Sequence, residues 1–128
     1  MHDAEWEAGD RVRREVLGDA HVDRQSAPSD FQRPFQDYLT RAVWGSVWTR
    51  EGLDRKTRSC ITLAVLTALG RTGEIPLHVR AALRNGLTEE QISEVLLHTA
   101  AYAGVPAART GFEIAERTLR EGERPPAP

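Results

Sequence analysis

The segment Gly18-Asp19-Ala20-His21-Val22-Asp23-Arg24 gathers a histidine, an arginine and two carboxylates where neither helix periodicity nor strand alternation accounts for them. Ionisable groups on irregular backbone suit a binding loop. They also suit a plain turn, in which Gly18 ends a helix, Asp19 and Asp23 accept from turn N–H groups and His21 lies on the surface. Glu74 and His78 are four residues apart, so on a helix their side chains meet on one face. A carboxylate beside an imidazole holds its tautomer and favours its protonated form, which makes a general acid near neutral pH. The same spacing also describes an ordinary solvated helix pair. Arg58, Ser59 and Thr62 form a polar patch in an otherwise apolar run, where the arginine either pairs with Asp54 or Glu51 or binds an anion. Cys60, beside that patch, reads as a small buried hydrophobe rather than a nucleophile. Glu94 and His98 repeat the four-residue spacing, but bundle dimetal sites use a Glu-x-x-His step of three, so no metal site is expected. Trp44 and Trp48 suit a core, an interface or an aromatic wall for a flat unsaturated ring.

The elements that must position these residues read as helices divided by glycine and proline, which gives an all-α fold of about six helices. The first spans roughly Glu5 to Leu17, with Val12 and Val16 one turn apart and Gly18 as its stop. A second carries Phe35, Leu39 and Val43 and ends between Gly45 and Gly52. The third begins at Asp54 and runs to Gly70; it is apolar almost all round and must be covered on most sides, which predicts an oligomer. A fourth starts near Pro76, ends at Asn85-Gly86, and turns Ile75, Val79, Ala82 and Leu83 inward. Thr88 and Gln91 form a capping-box pattern opening the fifth, with Leu87 and Ile92 as its staple and Gly104 as its end. Pro106 opens the sixth, with Phe112, Ala115 and Leu119 inward and the pairs Arg109 with Glu113 and Glu116 with Arg120 facing water.

The chain has 128 residues, 40% hydrophobic and 28% charged, with a net charge of -2. That length supports one domain, residues 1–120, followed by a flexible tail at 121–128. The charge balance argues against a nucleic-acid footprint, and no apolar stretch is long enough to span a bilayer. The single cysteine excludes a disulfide framework, and Met1 to Glu5 lacks the features of a signal peptide, so a cytoplasmic location is expected.

From Val12 to Leu119 the chain resembles the gamma-carboxymuconolactone decarboxylases, within the wider alkylhydroperoxidase D-like superfamily. The residues that carry the resemblance are Gly18 to Arg24, Phe31 to Asp37, Trp44 to Arg50, Gly52 to Asp54, Arg58-Ser59, His78 to Gly86 and Tyr102 to Ala108. Peroxidase members of the superfamily share a Cys-x-x-Cys-x-x-x-His motif; counting back from His78, Arg71 and Glu74 stand where the thiols would be. Thiol peroxidase activity is therefore not expected. Glu51 stands where the decarboxylase pattern has proline, and Arg109 where it has asparagine.

The resemblance implies a helical homo-oligomer, a trimer or hexamer, acting on a lactone dicarboxylate in protocatechuate catabolism. Loss of carbon dioxide from the gamma carbon would send its electron pair through the ring double bond into the lactone carbonyl. The resulting dienolate would be protonated at the alpha carbon, giving beta-ketoadipate enol-lactone. The substrate is its own electron sink, so no cofactor is expected. The implied roles are His78 as proton donor, Glu74 as its orienting group, Arg24 and Arg58 as carboxylate partners, and His21 as donor to the lactone oxygen. Trp44 and Trp48 would add the aromatic wall. Two other expectations remain open: a relative acting on another lactone or beta-keto-type acid, and a non-catalytic helical assembly protein.

Overall fold

Asp3 accepts a hydrogen bond from the Trp6 N–H at 3.0 Å, which caps the first helix, α1, Ala4–Leu17. The computed structural model describes residues 2–25 and 27–122; Met1, Ser26 and the tail from 123 onward lie outside the described residues. It divides into two compact units, Met1–Arg55 and Lys56–Pro128, each described by itself. The fold is all-α, and among the described residues there is no strand. No described helix is long and apolar enough to cross a membrane.

In the first unit, Gly18 at φ 92° breaks the chain after Leu17, and the backbone at once resumes as a second helix, α2, Asp19–Arg24. This corrects the reading of that segment as irregular. One positive φ is enough to turn the chain, while Asp19 suits a first turn and Val22, 2% exposed, anchors the far side. Next come α3, Arg33–Tyr38, and a π-helix, Leu39–Val47, in which Trp48 N–H reaches the Val43 carbonyl five residues back. The wider winding turns Thr40, Trp44 and Trp48 inward. Phe35, Leu39 and Val43 are therefore not the buried stripe: Phe35 and Val43 are exposed.

The α1 and π-helix backbones touch. A Cβ on Gly9 would stand 2.0 Å from the Thr40 carbonyl oxygen, and one on Gly45 would stand 2.7 Å from that of Glu5. Only glycine at both positions permits that approach.

The second unit comprises most of α4, Arg55–Leu69, then a 3-10 turn, Thr72–Glu74, and α5, Ile75–Arg84, α6, Glu89–Ala103, and α7, Val105–Glu121. Its core is Leu63, Ile75, Val79, Ala82, Leu87, Ile92, Leu96 and Ala115, with Phe112 and Leu119 packed on the margin. The capping box forms as the spacing predicts: Gln91 N–H donates to Thr88 Oγ1 at 3.1 Å and Thr88 N–H to Gln91 Oε1 at 3.0 Å. Leu83 departs from expectation, exposed one position past the Val79 and Ala82 stripe. On α7, Arg120 reaches Glu89 on α6 at 2.9 Å.

The α4 helix buries Ser59, Leu63 and Thr67, one residue per turn, and leaves Ile61, Val65 and Leu69 exposed. Cys60 and Leu66 complete the inward side against the core, and the outward side is as apolar as the inward one, against the usual pattern of a surface helix.

Candidate active-site residues

One side chain of α1 reaches two carboxylates of α2. Arg14 on α1 extends past the Gly18 break, where its Nη1 donates to Asp19 at 3.2 Å and to Asp23 at 2.8 Å, while its Nε donates to Asp10 at 3.1 Å. Hydrogen bonds to Asp23, Asp10 and Asp19, in that order, raise the Arg14 pKa above its ordinary value. Asp19 and Asp23 thus answer a guanidinium, where the turn reading had them accept from backbone N–H groups. His21 and Arg24, three residues apart, are neighbours on the helix surface away from Val22. His21 is half-buried and Arg24 exposed. The short α2 helix thus carries an imidazole and a guanidinium side by side.

Trp44 and Trp48 are 5% and 9% exposed and stack with ring centroids 5.0 Å apart. The i to i+5 bonding of the π-helix rotates the chain less per residue than an α-helix, so residues four apart come nearly into line. The stacked pair serves the first unit's packing and presents little edge to solvent.

In the second unit, the patch seen in the sequence divides. Ser59 is buried and accepts from Asn85 Nδ2 at 2.8 Å, which ties α4 to the C-terminus of α5; Thr62 Oγ1 donates to the Arg58 carbonyl at 2.9 Å. Both hydroxyls serve the fold, and Arg58, half-buried, is the cation beside them. Glu74 ends the 3-10 turn and is the residue before α5; His78 lies in the first turn of α5 beside the buried Ile75 and Val79. Glu74 is exposed and His78 half-buried, so the pair straddles a helix start, not the body of a helix.

Glu94 and His98 line an open, apolar groove of about 600 Å³ together with Cys60, Ile61 and Leu97. A second groove of about 540 Å³ continues it past Val65 and Tyr102, sharing Ala64, His98 and Thr99. None of the seven residues assigned roles from the sequence lines either groove. Among the described residues, no three His, Cys, Asp or Glu side chains gather as a metal site would require.

Two features of the first unit escape the sequence reading. Arg13 is buried at 6% exposure, and the Arg14 clamp organises α2. Arg13 had a signal, because Gly9, Val12, Arg13, Val16 and Leu17 fall on one helical stripe. The clamp had none, since the register across Gly18 depends on how the chain turns there.

Residues 33–117 match the model of the carboxymuconolactone decarboxylase family. The chain is 44% identical to a 4-carboxymuconolactone decarboxylase of Acinetobacter baylyi, over 91% of this chain and 87% of that protein. It is 38% identical to a nitrosuccinic acid decarboxylase of Metarhizium robertsii, over 94% of this chain and 85% of that protein. A 4-carboxymuconolactone decarboxylase of Pseudomonas putida is 51% identical over 31% of this chain and 85% of that sequence. The chain belongs to the carboxymuconolactone decarboxylase family.

Proposed function

We propose that this protein is a carboxy-lyase that converts gamma-carboxymuconolactone to beta-ketoadipate enol-lactone in protocatechuate catabolism. The observation that carries this reading is the 44% identity to the Acinetobacter baylyi decarboxylase along nearly the whole of both chains. The carbon–carboxylate bond at the gamma carbon breaks, its electron pair moves through the ring double bond into the lactone carbonyl, and a proton is added at the alpha carbon. Carbon dioxide leaves, and the substrate supplies its own electron sink.

The protein's work is to hold two carboxylates, to meet charge developing on the lactone oxygen and to deliver one proton. In this reading His78 donates the proton and Glu74 orients it. Arg24 and Arg58 partner the carboxylates, and His21 donates to the lactone oxygen. Arg24 and His21 are supported by their place side by side on α2, and Arg58 by its place beside hydroxyls already bonded within the fold. Trp44 and Trp48 are assigned the aromatic wall, supported by the place of Trp44 in a π-helix and of Trp48 at its end, an element that recurs at functional sites.

The family match from 33 to 117 supports a single domain. A homo-oligomer is supported by the exposed Ile61, Val65, Leu69, Leu97 and Tyr102. The lone Cys60 accords with a cytoplasmic location.

The Metarhizium robertsii relative favours a second reading, in which the acid is nitrosuccinic acid. Both named substrates are dicarboxylic acids that carry their own electron acceptor. One experiment separates the readings: each acid is supplied, carbon dioxide release is followed, and the organic product is identified. Turnover of the lactone with formation of the enol-lactone is expected, and its absence defeats the proposal. His78→Ala, folded and unchanged in assembly, loses turnover on the accepted substrate; near-normal turnover removes His78 as the acid.

A further inference from the structure

The first unit contains a cavity of about 260 Å³ that none of the assigned roles uses. Arg13 lines it and is 6% exposed. Its Nη2 donates to the neutral amide oxygen of Gln25 at 2.5 Å, and its Nε is buried with no acceptor. Asp10 lies one turn away on α1 but is held by Arg14, and Asp37, on the same wall, is held by Arg41 at 2.9 Å. Burial lowers the Arg13 pKa more than the field of Asp10 restores it, and Arg14 lowers it further. A buried guanidinium facing only neutral acceptors is unfavourable unless something anionic completes it.

The rest of the wall suits that completion. Arg33, paired with Asp30 at 2.5 Å, and Arg14, answered by its three aspartates, also line it. The Gln36 amide, whose Oε1 is buried without a donor, presents two N–H donors to the same space when turned over. We propose that this cavity is a binding site for a carboxylate-sized anion, seated on the Arg13 guanidinium. The inference does not rest on the lactone reading. The anion is either a carboxylate of the substrate or a separate small organic acid, and the two share one chemistry: a planar oxyanion received by a guanidinium fork.

Titration calorimetry and thermal unfolding with succinate, and in parallel with inorganic phosphate, test it on the full chain. Wild type should bind succinate saturably, with an unfolding temperature that climbs with ligand concentration. Arg13→Met should weaken binding by about tenfold or more, while unfolding without ligand no earlier than wild type, because it removes an unpaired buried charge. Arg33→Gln, at a largely exposed position, should weaken binding by about threefold. No saturable binding to wild type below about 10 mM overturns the proposal, as does wild-type affinity in both variants. If Arg13→Met does not fold, wild-type affinity in Arg33→Gln overturns it alone. Where the protein turns over an acid substrate, competitive inhibition by succinate with a raised KM in Arg13→Met identifies the substrate's own carboxylate. A thermal shift without competition identifies a separate ligand.

Discussion

Gly9→Ala sets two magnitudes of opposite sign against each other. Gly9 sits inside α1, where alanine is favoured over glycine by about 1 kcal/mol, so helix propensity alone predicts stabilisation. The added Cβ would stand 2.0 Å from the Thr40 carbonyl oxygen and 2.9 Å from the Gly45 nitrogen. A carbon–oxygen approach is ordinarily about 3.3 Å or more, so the two backbones must part by roughly 1 Å. A gap of that size forfeits about a quarter to a half of the dispersion attraction along the contact, and overpacking costs about 1–3 kcal/mol. The obstacles are backbone atoms of a packed helix, not the end of a mobile side chain, so the upper part of that range applies. The net expectation is a loss of about 1–2 kcal/mol, a fall in Tm of roughly 4–8 °C for a chain of this size. Gly73→Ala is the control: nothing lies within 4 Å of its Cβ, and no change or a gain of up to about 1 kcal/mol is expected. Thermal and urea unfolding followed by circular dichroism read both variants. Gly9→Ala as stable as wild type, or more so, refutes the close approach of α1 to the π-helix.

Arg14→Gln should free α2 and lower kcat/KM by about tenfold or more, because a mount displaced by 1 Å misplaces His21 and Arg24; unchanged kinetics would make the clamp irrelevant to function. Asp3 is held below its ordinary pKa of 3.8, first by the hydrogen bond from Arg41 and then by the Trp6 N–H. A depressed carboxylate contributes stability that is fully present above the ordinary value and lost as pH falls through the lowered one. Carboxyl NMR should therefore place its midpoint below 3.8, with Arg41→Gln moving it upward; a wild-type midpoint at or above the ordinary value contradicts the cap geometry. Thr88→Ala removes one half of the capping box and should cost about 1 kcal/mol in urea unfolding, with no loss counting against the cap. Val65→Glu places a charge on the exposed face of α4 and, if the proposed homo-oligomer forms through that face, should reduce the particle mass given by light scattering; an unchanged mass removes that face from the proposal.

Helix boundaries were legible wherever a local device sets them. Gly18, the Thr88 and Gln91 box and Gly104 each satisfy or break backbone hydrogen bonds within a few residues, so residue type alone locates them. What was not legible depends on register across a break or on contact between distant segments. The segment from Gly18 to Arg24 looked irregular because six residues are too few for apolar periodicity, and its hydrogen-bonded turn is recognisable only once Arg14 is seen to hold both aspartates. The buried face of the π-helix was missed because Thr40, Trp44 and Trp48 have the same four-residue spacing as Phe35, Leu39 and Val43, and spacing alone does not say which of two such stripes turns inward. Of the candidate residues, the sequence supplied type and spacing for Glu74 and His78. That a helix begins between them was legible from Pro76, whereas the 3-10 turn that ends at Glu74 was not.

The polarity of α4 joins the sequence reading to the proposed assembly. The sequence reads as apolar nearly all round, yet the side turned into the second unit carries two buried hydroxyls, Ser59 and Thr67, among Leu63, Cys60 and Leu66. Ser59 needs Asn85 to satisfy it, and Thr67 Oγ1 is buried without a partner. A helix selected only to stabilise this unit would reverse that order, with hydroxyls in water and Ile61, Val65 and Leu69 inside, since each buried aliphatic side chain contributes roughly 1.5–3 kcal/mol. The outward row is continued on α6 by Leu97 and Tyr102, along the two grooves that share Ala64, His98 and Thr99. Apolar rows on two adjacent helices, with the polar groups moved inward, are the arrangement expected when the outward face is buried in the working state. A second copy of this chain carries the same apolar face, so in the proposed homo-oligomer a self-complementary contact would satisfy both copies at once.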